Sequence, residues 1–262
     1  MSFSSNFTRA GVRDYEKSRY RGIDQRIVHR RETKLIREML AVAAAEEASG
    51  SGRTRPFRPP ARPVRGSGRI VLDLPCGYGR FTPILKESGF DVVSADLSFE
   101  MARRAAESAA AGPADSTGKA DDLHLPPHSA RSEPGPGTRL PAVAANAARL
   151  PFKTGVFDLV FSIRFFHHVH DPADRAAILG EFRRASAGYV LASFYRMNGL
   201  HVLQRRLRRL FGKSRTNIKM VEPGIFEKTA EAAGFDIVRV VPLFRGLHAY
   251  HLILMKKRDA KI

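Results

Sequence analysis

The sequence predicts an α/β protein built on a mostly parallel β-sheet with helices on both faces. From residue 69 onward, short apolar runs of β-forming residues alternate with helical segments. Each run is continuously apolar, which is typical of parallel strands buried on both faces. The last two runs, at 235–243 and 249–257, are close enough to pair as an antiparallel hairpin at the sheet edge.

Composition sets the class of protein. The chain has 262 residues, of which 43% are hydrophobic and 27% charged, so it can bury a sizeable core. Cys76 is the single cysteine, which excludes an intramolecular disulfide and a multi-cysteine zinc site. No apolar run approaches the ~18–20 residues that span a bilayer. We therefore expect a soluble, cytoplasmic protein without a bound metal.

The charge balance is strongly basic. Lys and Arg total 44 against 26 Asp and Glu, a formal net charge of +18. Such a field attracts nucleic acid, an anionic membrane surface, or an acidic or phosphorylated substrate. An arginine-rich composition without a specific partner explains the same numbers. Both interpretations stay open here, including peripheral contact with the inner membrane surface, and the sequence does not predict an oligomeric state.

Two segments precede the sheet. Residues 1–48 are predicted to form an N-terminal extension that ends in a helix, with one face able to dock on a core. The apolar positions of that helix are Ile23, Ile27, Val28, Leu35, Met39 and Val42. Residues 49–68 are rich in Gly, Pro and Arg without any acid, which predicts a linker or basic arm.

The predicted domain covers residues 69–262. Its first four strands are expected at 69–75, 90–97, 157–163 and 188–194, and its helices at 81–88, 98–111, 173–185 and 224–233. Pro83 belongs to the first turn of the first helix, and Ser98 is the expected N-cap of the second. Residues 112–141 carry six prolines and are predicted to be a disordered insertion. Residues 197–222 are expected to form a basic lid or cap.

The turn after the first strand, LDLPCGYGR at 72–80, is the most informative motif. Its glycines allow close approach of a ligand, and the next helix presents free N–H groups. Asp96, at the end of the second strand, can accept hydrogen bonds from both ribose hydroxyls of an adenosine cofactor. Thr82 replaces the third glycine of a dinucleotide motif, and Asp73 would repel a pyrophosphate. A cationic cofactor that carries an amino acid tolerates Asp73 well.

This motif resembles the first motif of class I S-adenosylmethionine-dependent methyltransferases, D-x-G-x-G-x-G. ADLSFEM (95–101) is similar to their acidic second-strand motif, and NAARLPF (146–152) and FDLVFSIRFFHHVHDP (157–172) are similar to the segments that follow. The motifs stand in the family's order, and the nearest likeness is to the type 11, small-molecule branch. The resemblance implies a Rossmann-like, doubly wound, seven-stranded sheet, with S-adenosylmethionine as cofactor and S-adenosylhomocysteine as product.

The resemblance also implies the cofactor-binding residues. Asp73 would face the methionine part, and the backbone of the following turn would line it. That backbone belongs to Pro75, Cys76, Gly77 and Gly79. The remaining positions are Asp96 at the ribose, Leu97 and Met101 beside the adenine, Asn146 and Ala147 at its edge, and Ser162 to Arg164 under the methionine end.

Three of these positions need comment. Pro75 stands where the family has its first glycine, which removes one N–H donor and keeps the carbonyl. Asn146 replaces the more frequent aspartate, and its amide oxygen can still accept from the adenine amine. Cys76 is expected to be a small buried turn residue rather than a nucleophile.

No catalytic motif is obligatory for methyl transfer, because the sulfonium is already activated. The substrate-side candidates follow the fourth and fifth strands: Arg164, His167, His168 and Tyr195, with Arg196 beside them. An arginine could clamp a carboxylate or phosphate, and a histidine could accept a proton. His248 and Tyr250 are weaker candidates, and Phe165 and Phe166 are expected in the core.

Three functions remain open on the sequence. The first is methyl transfer to an O, N or C atom of a small or lipid-linked, anionic acceptor. The second is RNA or protein methylation, in which the basic arm (53–65) and a basic amphipathic helix (199–211) hold the polymer. The third is a methyltransferase-like binding or scaffold protein without activity.

Overall fold

The structure is a computed structural model that describes residues 23–49, 68–110, 142–197, 220–244 and 249–259. The predicted disordered insertion, nearly all of the predicted linker and most of the predicted lid lie outside these residues, as does His248. The domain boundaries drawn from the sequence therefore stay predictions.

The described chain forms seven strands and five α-helices. The strands are β1 (Ile70–Asp73), β2 (Asp91–Asp96), β3 (Ala142–Ala144), β4 (Phe157–Ser162), β5 (Ser186–Tyr195), β6 (Phe235–Pro242) and β7 (Tyr250–Lys257). The helices are α1 (Ile23–Ser49), α2 (Thr82–Glu87), α3 (Phe99–Ala110), α4 (Pro172–Ala185) and α5 (Ile225–Ala232). No helix in these ranges is long and apolar enough to cross a membrane.

The seven strands form one sheet in the order β3-β2-β1-β4-β5-β7-β6. β1 to β5 are parallel, and β7 is antiparallel to both β5 and β6. The predicted fold class and C-terminal hairpin are thus confirmed. Because the chain order reverses between β1 and β4, the crevice outside their carboxyl ends is where such sheets bind ligands.

Each face of the sheet carries its own core. Leu72 of β1 belongs to the cluster that holds Phe182 of α4 and Phe226 of α5. Its neighbour Val71 belongs to the other cluster, which holds the apolar side chains of α1 and α2. Successive strand residues point to opposite faces, so both must be apolar when both faces are covered. This is why the strands are apolar runs in the sequence.

Helix α1 docks on the sheet by a face that matches the predicted one in part, since Leu35 and Met39 are buried as expected. Ile27 is 55% exposed, and Val28 and Val42 are only half-buried. The buried face is built from Glu32, Leu35, Ile36, Met39, Leu40, Ala43 and Ala44. This buried face follows helical periodicity and includes the carboxylate of Glu32, which a search for apolar residues alone does not find.

The helix starts agree with their sequence signals. Pro83 occupies the first turn of α2. Asp171 caps α4 by accepting a 2.8 Å hydrogen bond from the Ala173 amide, and the Met101 amide lies 3.5 Å from Ser98 Oγ at the start of α3. Helices α2, α3 and α4 follow the carboxyl ends of β1, β2 and β4, where the candidate site lies.

Candidate active site

The turn after β1 is shaped by two glycines with positive φ. Gly79 has φ +84°, and a Cβ at this position would lie 2.8 Å from Ala105 Cα of α3. Gly77 has φ +55°, and a Cβ there would meet nothing within 4 Å. Gly79 therefore allows close helix packing, whereas Gly77 borders open space that a ligand can fill. The Leu74–Pro75 peptide bond in this turn is cis.

Asp96 connects this turn to the end of β2. Its Oδ2 accepts a 3.0 Å hydrogen bond from the Gly77 amide, and its Oδ1 accepts one of 3.0 Å from the Ser98 amide. Burial raises the pKa of Asp96, and the amides of Ser98, Gly77 and Leu97 oppose that shift. A carboxylate oxygen has more than one lone pair, so Asp96 can also accept from a pair of ribose hydroxyls.

Asp73, the last residue of β1, is buried at the bottom of the site and 3% exposed. Its Oδ2 has no hydrogen-bond partner among the described residues. Burial, and then the charge of Asp96, raise the pKa of Asp73 well above its usual value. A buried carboxyl oxygen without a partner is unfavourable, and a cationic ligand would relieve this.

The residues predicted to surround the adenine lie next along the sheet edge. Leu97 is 73% exposed, so its side chain is available to a ligand. Asn146 is exposed, and its Oδ1 accepts a 2.9 Å hydrogen bond from the Ala148 amide. Ala147 and Met101 are buried, which leaves their side chains little surface for contact. The adenine contacts of all four stay predictions.

These residues fit S-adenosylmethionine. The oxygen of Asp73 without a partner among the described residues suits the cationic methionine end of the cofactor, and Asp96 suits its ribose. The open space beside Gly77 lets the cofactor approach the backbone of the turn closely. Ser162 Oγ, at the end of β4, is a further buried oxygen without a partner in the described part of the chain. Cys76 is buried, and burial raises the pKa of its thiol well above the usual value, so it stays protonated.

Arg164, the residue predicted both to floor the methionine end and to clamp an acceptor, already has a protein partner. Its Nε and Nη2 donate to Oε1 and Oε2 of Glu32 at 3.0 and 2.8 Å. Its backbone is left-handed, with φ +60°, and its amide donates to Ser193 Oγ at 2.6 Å. The guanidinium expected to clamp an acceptor anion is therefore already bound to a carboxylate of the protein.

Glu32 was not among the predicted site residues. It is fully buried on α1, and besides Arg164 it contacts Arg80 Nη2 at 3.5 Å and accepts from Tyr250 Oη at 2.5 Å. We call Glu32, Arg80, Arg164 and Tyr250 the Glu32 cluster. A sequence signal existed, because Glu32 lies four residues after Val28 in the helical face that continues to Ile36.

His29, one turn before Glu32, is the second site neighbour that the sequence analysis missed. Arg80 Nε and Nη2 lie 3.0 and 2.6 Å from His29 Nδ1. Since arginine only donates, Nδ1 accepts, and the proton of the neutral ring is on Nε2. Burial, then the charge of Arg80, lower the pKa of His29 to about 4. His29 is therefore uncharged at neutral pH.

The other acceptor-side candidates lie together after β4 and β5. The His167 ring centroid is 5.1 Å from that of Tyr195 and 3.9 Å from that of His168. His167 is half-buried and His168 exposed, while Phe166 between them and the core is buried, as predicted. Tyr195 in turn contacts Tyr250 edge to face at 5.2 Å. The aromatic rings thus line the side of the site that adjoins the Glu32 cluster.

The fold and the family match support a class I S-adenosylmethionine-dependent methyltransferase. A family model described as "Methyltransferase domain" matches residues 72–190, the span from β1 into β5 that contains the Gly77 turn, Asp96 and the β4 motif. The matched segment supports an S-adenosylmethionine-dependent methyltransferase. Among curated proteins, none matches the sequence.

Solved structures share the fold. The magnesium protoporphyrin IX methyltransferase of Synechocystis PCC 6803 with bound S-adenosylhomocysteine has a TM-score of 0.64 at 15% identity, over 96% of this chain and 95% of that one. The same enzyme with bound S-adenosylmethionine has a TM-score of 0.56 at 14% identity, over 96% of this chain and 92% of that one. An S-adenosylmethionine-dependent methyltransferase of Methanosarcina mazei has a TM-score of 0.53 at 21% identity, over 72% of this chain and 92% of that one.

Proposed function

We propose that this methyltransferase acts on an O, N or C atom of a small or lipid-linked, anionic acceptor. The observation that carries the proposal is the grouping of His167 and Tyr195 beside the turn that holds Arg164, at the carboxyl ends of β4 and β5. In doubly wound sheets the acceptor enters from these ends. This wall is aromatic and holds the imidazoles of His167 and His168, which suits a compact molecule.

The chemistry requires alignment more than activation. S-adenosylmethionine supplies a methyl group on a sulfonium, which is already a good leaving group. Asp73 and Asp96 bind and orient the cofactor from the side of the site formed by β1 and β2. His167 is placed to accept a proton at an imidazole nitrogen, and the aromatic rings of Tyr195 and Tyr250 exclude water.

Electrostatics support an anionic acceptor. Arg196 directly follows β5, its side chain is 38% exposed, and the carboxylate of Glu227 lies 4.0 Å away. At that distance the ion pair is weak and leaves Arg196 free to reorient toward an anion. The formal charge of +18 raises the local concentration of anions around the whole protein.

The Synechocystis neighbour is named for a small-molecule acceptor, magnesium protoporphyrin IX. At 15% identity this likeness concerns the fold alone. The proposal therefore depends on the residues of this chain, and contact with nucleic acid or a membrane surface is an alternative use of the same charge.

The experiment follows tritiated methyl transfer from S-adenosylmethionine into a cell extract of the encoding organism, separated into low-mass, lipid, RNA and protein fractions. We expect label in the low-mass or lipid fraction, and loss of that label with Asp96→Ala but not with Asp236→Ala. Asp236 is an exposed partner of Arg258 on β6, far from the site in the sheet order, which makes it a matched control.

The fractions distinguish the candidate acceptors. Label that ribonuclease or protease releases would overturn the small-acceptor proposal and favour a polymer substrate. Label released from the low-mass fraction as volatile methanol by mild base would identify a carboxylate acceptor, because only methyl esters hydrolyse in this way. No label in any fraction, with a folded protein that binds the cofactor, would also count against the proposal.

A further inference from the structure

Glu32 is an unusual residue for the helix face on which it lies. Its neighbours on that face, Leu35, Ile36, Met39 and Leu40, are all apolar and at most 2% exposed, and Glu32 itself is 0% exposed. A buried ion pair contributes little net stability, because the loss of hydration offsets the attraction, and apolar residues of similar volume often do as well. The stability of α1 docking therefore does not explain a carboxylate here.

The contacts of Glu32 reach two turns and the start of a strand at the carboxyl edge of the parallel strands. Oε1 accepts from Arg164 Nε at 3.0 Å and from Tyr250 Oη at 2.5 Å. Oε2 accepts from Arg164 Nη2 at 2.8 Å and lies 3.5 Å from Arg80 Nη2. Arg80 closes the cofactor turn, Arg164 follows β4, and Tyr250 begins β7. One side chain of α1 thus connects the cofactor side of the site with the acceptor side.

The turn after β4 needs such support. Arg164 has φ +60°, a left-handed conformation that is unfavourable for a residue with a Cβ. Such a conformation persists only where surrounding contacts hold it. Here Ser193 Oγ holds the Arg164 amide and Glu32 holds the guanidinium with two parallel hydrogen bonds. The conformation of the turn that leads to His167 therefore depends on Glu32.

We propose that Glu32 is a positioning residue: through Arg80 and Arg164, helix α1 sets the conformation of both the cofactor turn and the turn after β4. The inference rests on the methyl-transfer function proposed above. Glu32 itself need not touch cofactor or acceptor. Burial, and then the Glu32 charge, raise the pKa of Tyr250 well above its usual value, so its hydroxyl stays a donor to the carboxylate.

The test compares Glu32→Gln with two matched controls. Glu87→Gln is the same change in an exposed carboxylate that also joins α2 to α1, through Arg37 at 2.8 Å. Phe235→Leu, in a fully buried position of β6, lowers stability without touching the Glu32 cluster. Each full-length variant is titrated with S-adenosylhomocysteine by calorimetry, and its amide hydrogen exchange is measured without ligand.

We expect Glu32→Gln to weaken S-adenosylhomocysteine binding by about tenfold, the effect of ~1.4 kcal/mol. Exchange should rise in both turns, at 77–80 and 164–168, while β6 and β7 keep their protection. Glu87→Gln should bind like the wild type, and Phe235→Leu should melt at a lower temperature with unchanged affinity. A merely structural role for Glu32 would make Glu32→Gln behave like Phe235→Leu, with a lower melting temperature and unchanged affinity.

Arg164→Lys decides the matter if Glu32→Gln does not fold. Lysine keeps the charge but cannot form the two parallel hydrogen bonds, so exchange at 164–168 should still rise. Unchanged affinity and exchange in these variants, or an equal loss of affinity in Phe235→Leu, would overturn the proposal. Absence of binding by the wild type would overturn the methyl-transfer function itself, and the proposal with it.

Discussion

The amide of Gly77 donates a 3.0 Å hydrogen bond to Oδ2 of Asp96, which joins the turn after β1 to the end of β2. The carboxylate expected to hold the ribose thus also holds the turn expected to face the methionine part of the cofactor. Its other oxygen fixes the Ser98 amide at the start of α3. A substitution at Asp96 therefore alters two parts of the cofactor site together.

Asp96→Ala should abolish measurable binding of S-adenosylhomocysteine. The loss of hydrogen bonds to a charged group, at about 1.5–3 kcal/mol each, corresponds to more than a hundredfold for two of them. Asp96→Asn keeps one acceptor oxygen and should bind with intermediate affinity. Calorimetric titration measures this, with Asp236→Ala as the control. Binding by Asp96→Ala at wild-type affinity would contradict the assignment.

Gly77 and Gly79 should respond differently to alanine. At Gly79 the added Cβ meets Ala105 Cα at 2.8 Å, so Gly79→Ala should lower the free energy of unfolding by about 2–5 kcal/mol, the sum of left-handed strain and overpacking. At Gly77 the Cβ enters open space, so only the left-handed strain of about 1–2 kcal/mol applies. Denaturant titration measures both values.

Cofactor affinity provides the second half of this comparison. Gly77→Ala should weaken S-adenosylhomocysteine binding, because the methyl group occupies space that the ligand uses. Gly155→Ala is the control, since Gly155 also has positive φ and open space but lies before β4, away from the site. Equal affinities in Gly77→Ala and Gly155→Ala would mean that the space beside Gly77 is not part of the cofactor site.

Cofactor binding should release a proton from Asp73. Burial, and then Asp96, raise its pKa well above the usual value in the free protein, so the carboxyl is protonated in the pH range between the two values. A cationic ligand favours the carboxylate and lowers that pKa. Affinity for S-adenosylmethionine should therefore increase as the pH rises through this range.

Calorimetry in two buffers with different heats of ionisation measures the released proton. Asp73→Asn cannot release it, so the part of the buffer dependence that this variant loses belongs to Asp73. For the free protein the sign is the reverse: a raised folded-state pKa stabilises at low pH, and that contribution is lost as the pH rises from the usual value toward the raised one. Identical buffer dependence in both proteins would refute the prediction.

His29 should make the protein less stable in mild acid. Its folded-state pKa of about 4 lies below the usual value of 6.5, so the unfolded chain binds more protons between these values. Stability therefore falls as the pH decreases from about 6.5 toward 4. His29→Gln offers Arg80 a neutral acceptor that does not titrate, and the difference between its melting temperatures at pH 7 and pH 5 should be smaller than in the wild type.

His170→Gln is the control for this comparison, because His170 is exposed and lies two residues before the start of α4. It should keep the wild-type difference in melting temperature between the two pH values. An unchanged difference in His29→Gln would mean that the His29 ring does not stay neutral in the folded protein.

The sequence by itself determined the fold class and the cofactor motif. Continuous apolar runs can be satisfied only by strands covered on both faces, so the parallel sheet follows from local pattern. The Gly77 turn and Asp96 are local signals as well, because one requires positive φ and the other ends a strand. The Gly77 turn and Asp96 lie close together because β1 and β2 are adjacent in the sheet.

Only the tertiary structure decided which groups complete the site. Glu32 and Tyr250 are more than two hundred positions apart in the chain, and their 2.5 Å hydrogen bond depends on α1 packing against one face of the sheet and on β7 inserting between β5 and β6. Periodicity indicates that Glu32 lies on a buried face but not what it meets there. Arg164, expected to face an acceptor, instead binds Glu32, because a buried carboxylate requires a cation and the fold places this one within reach.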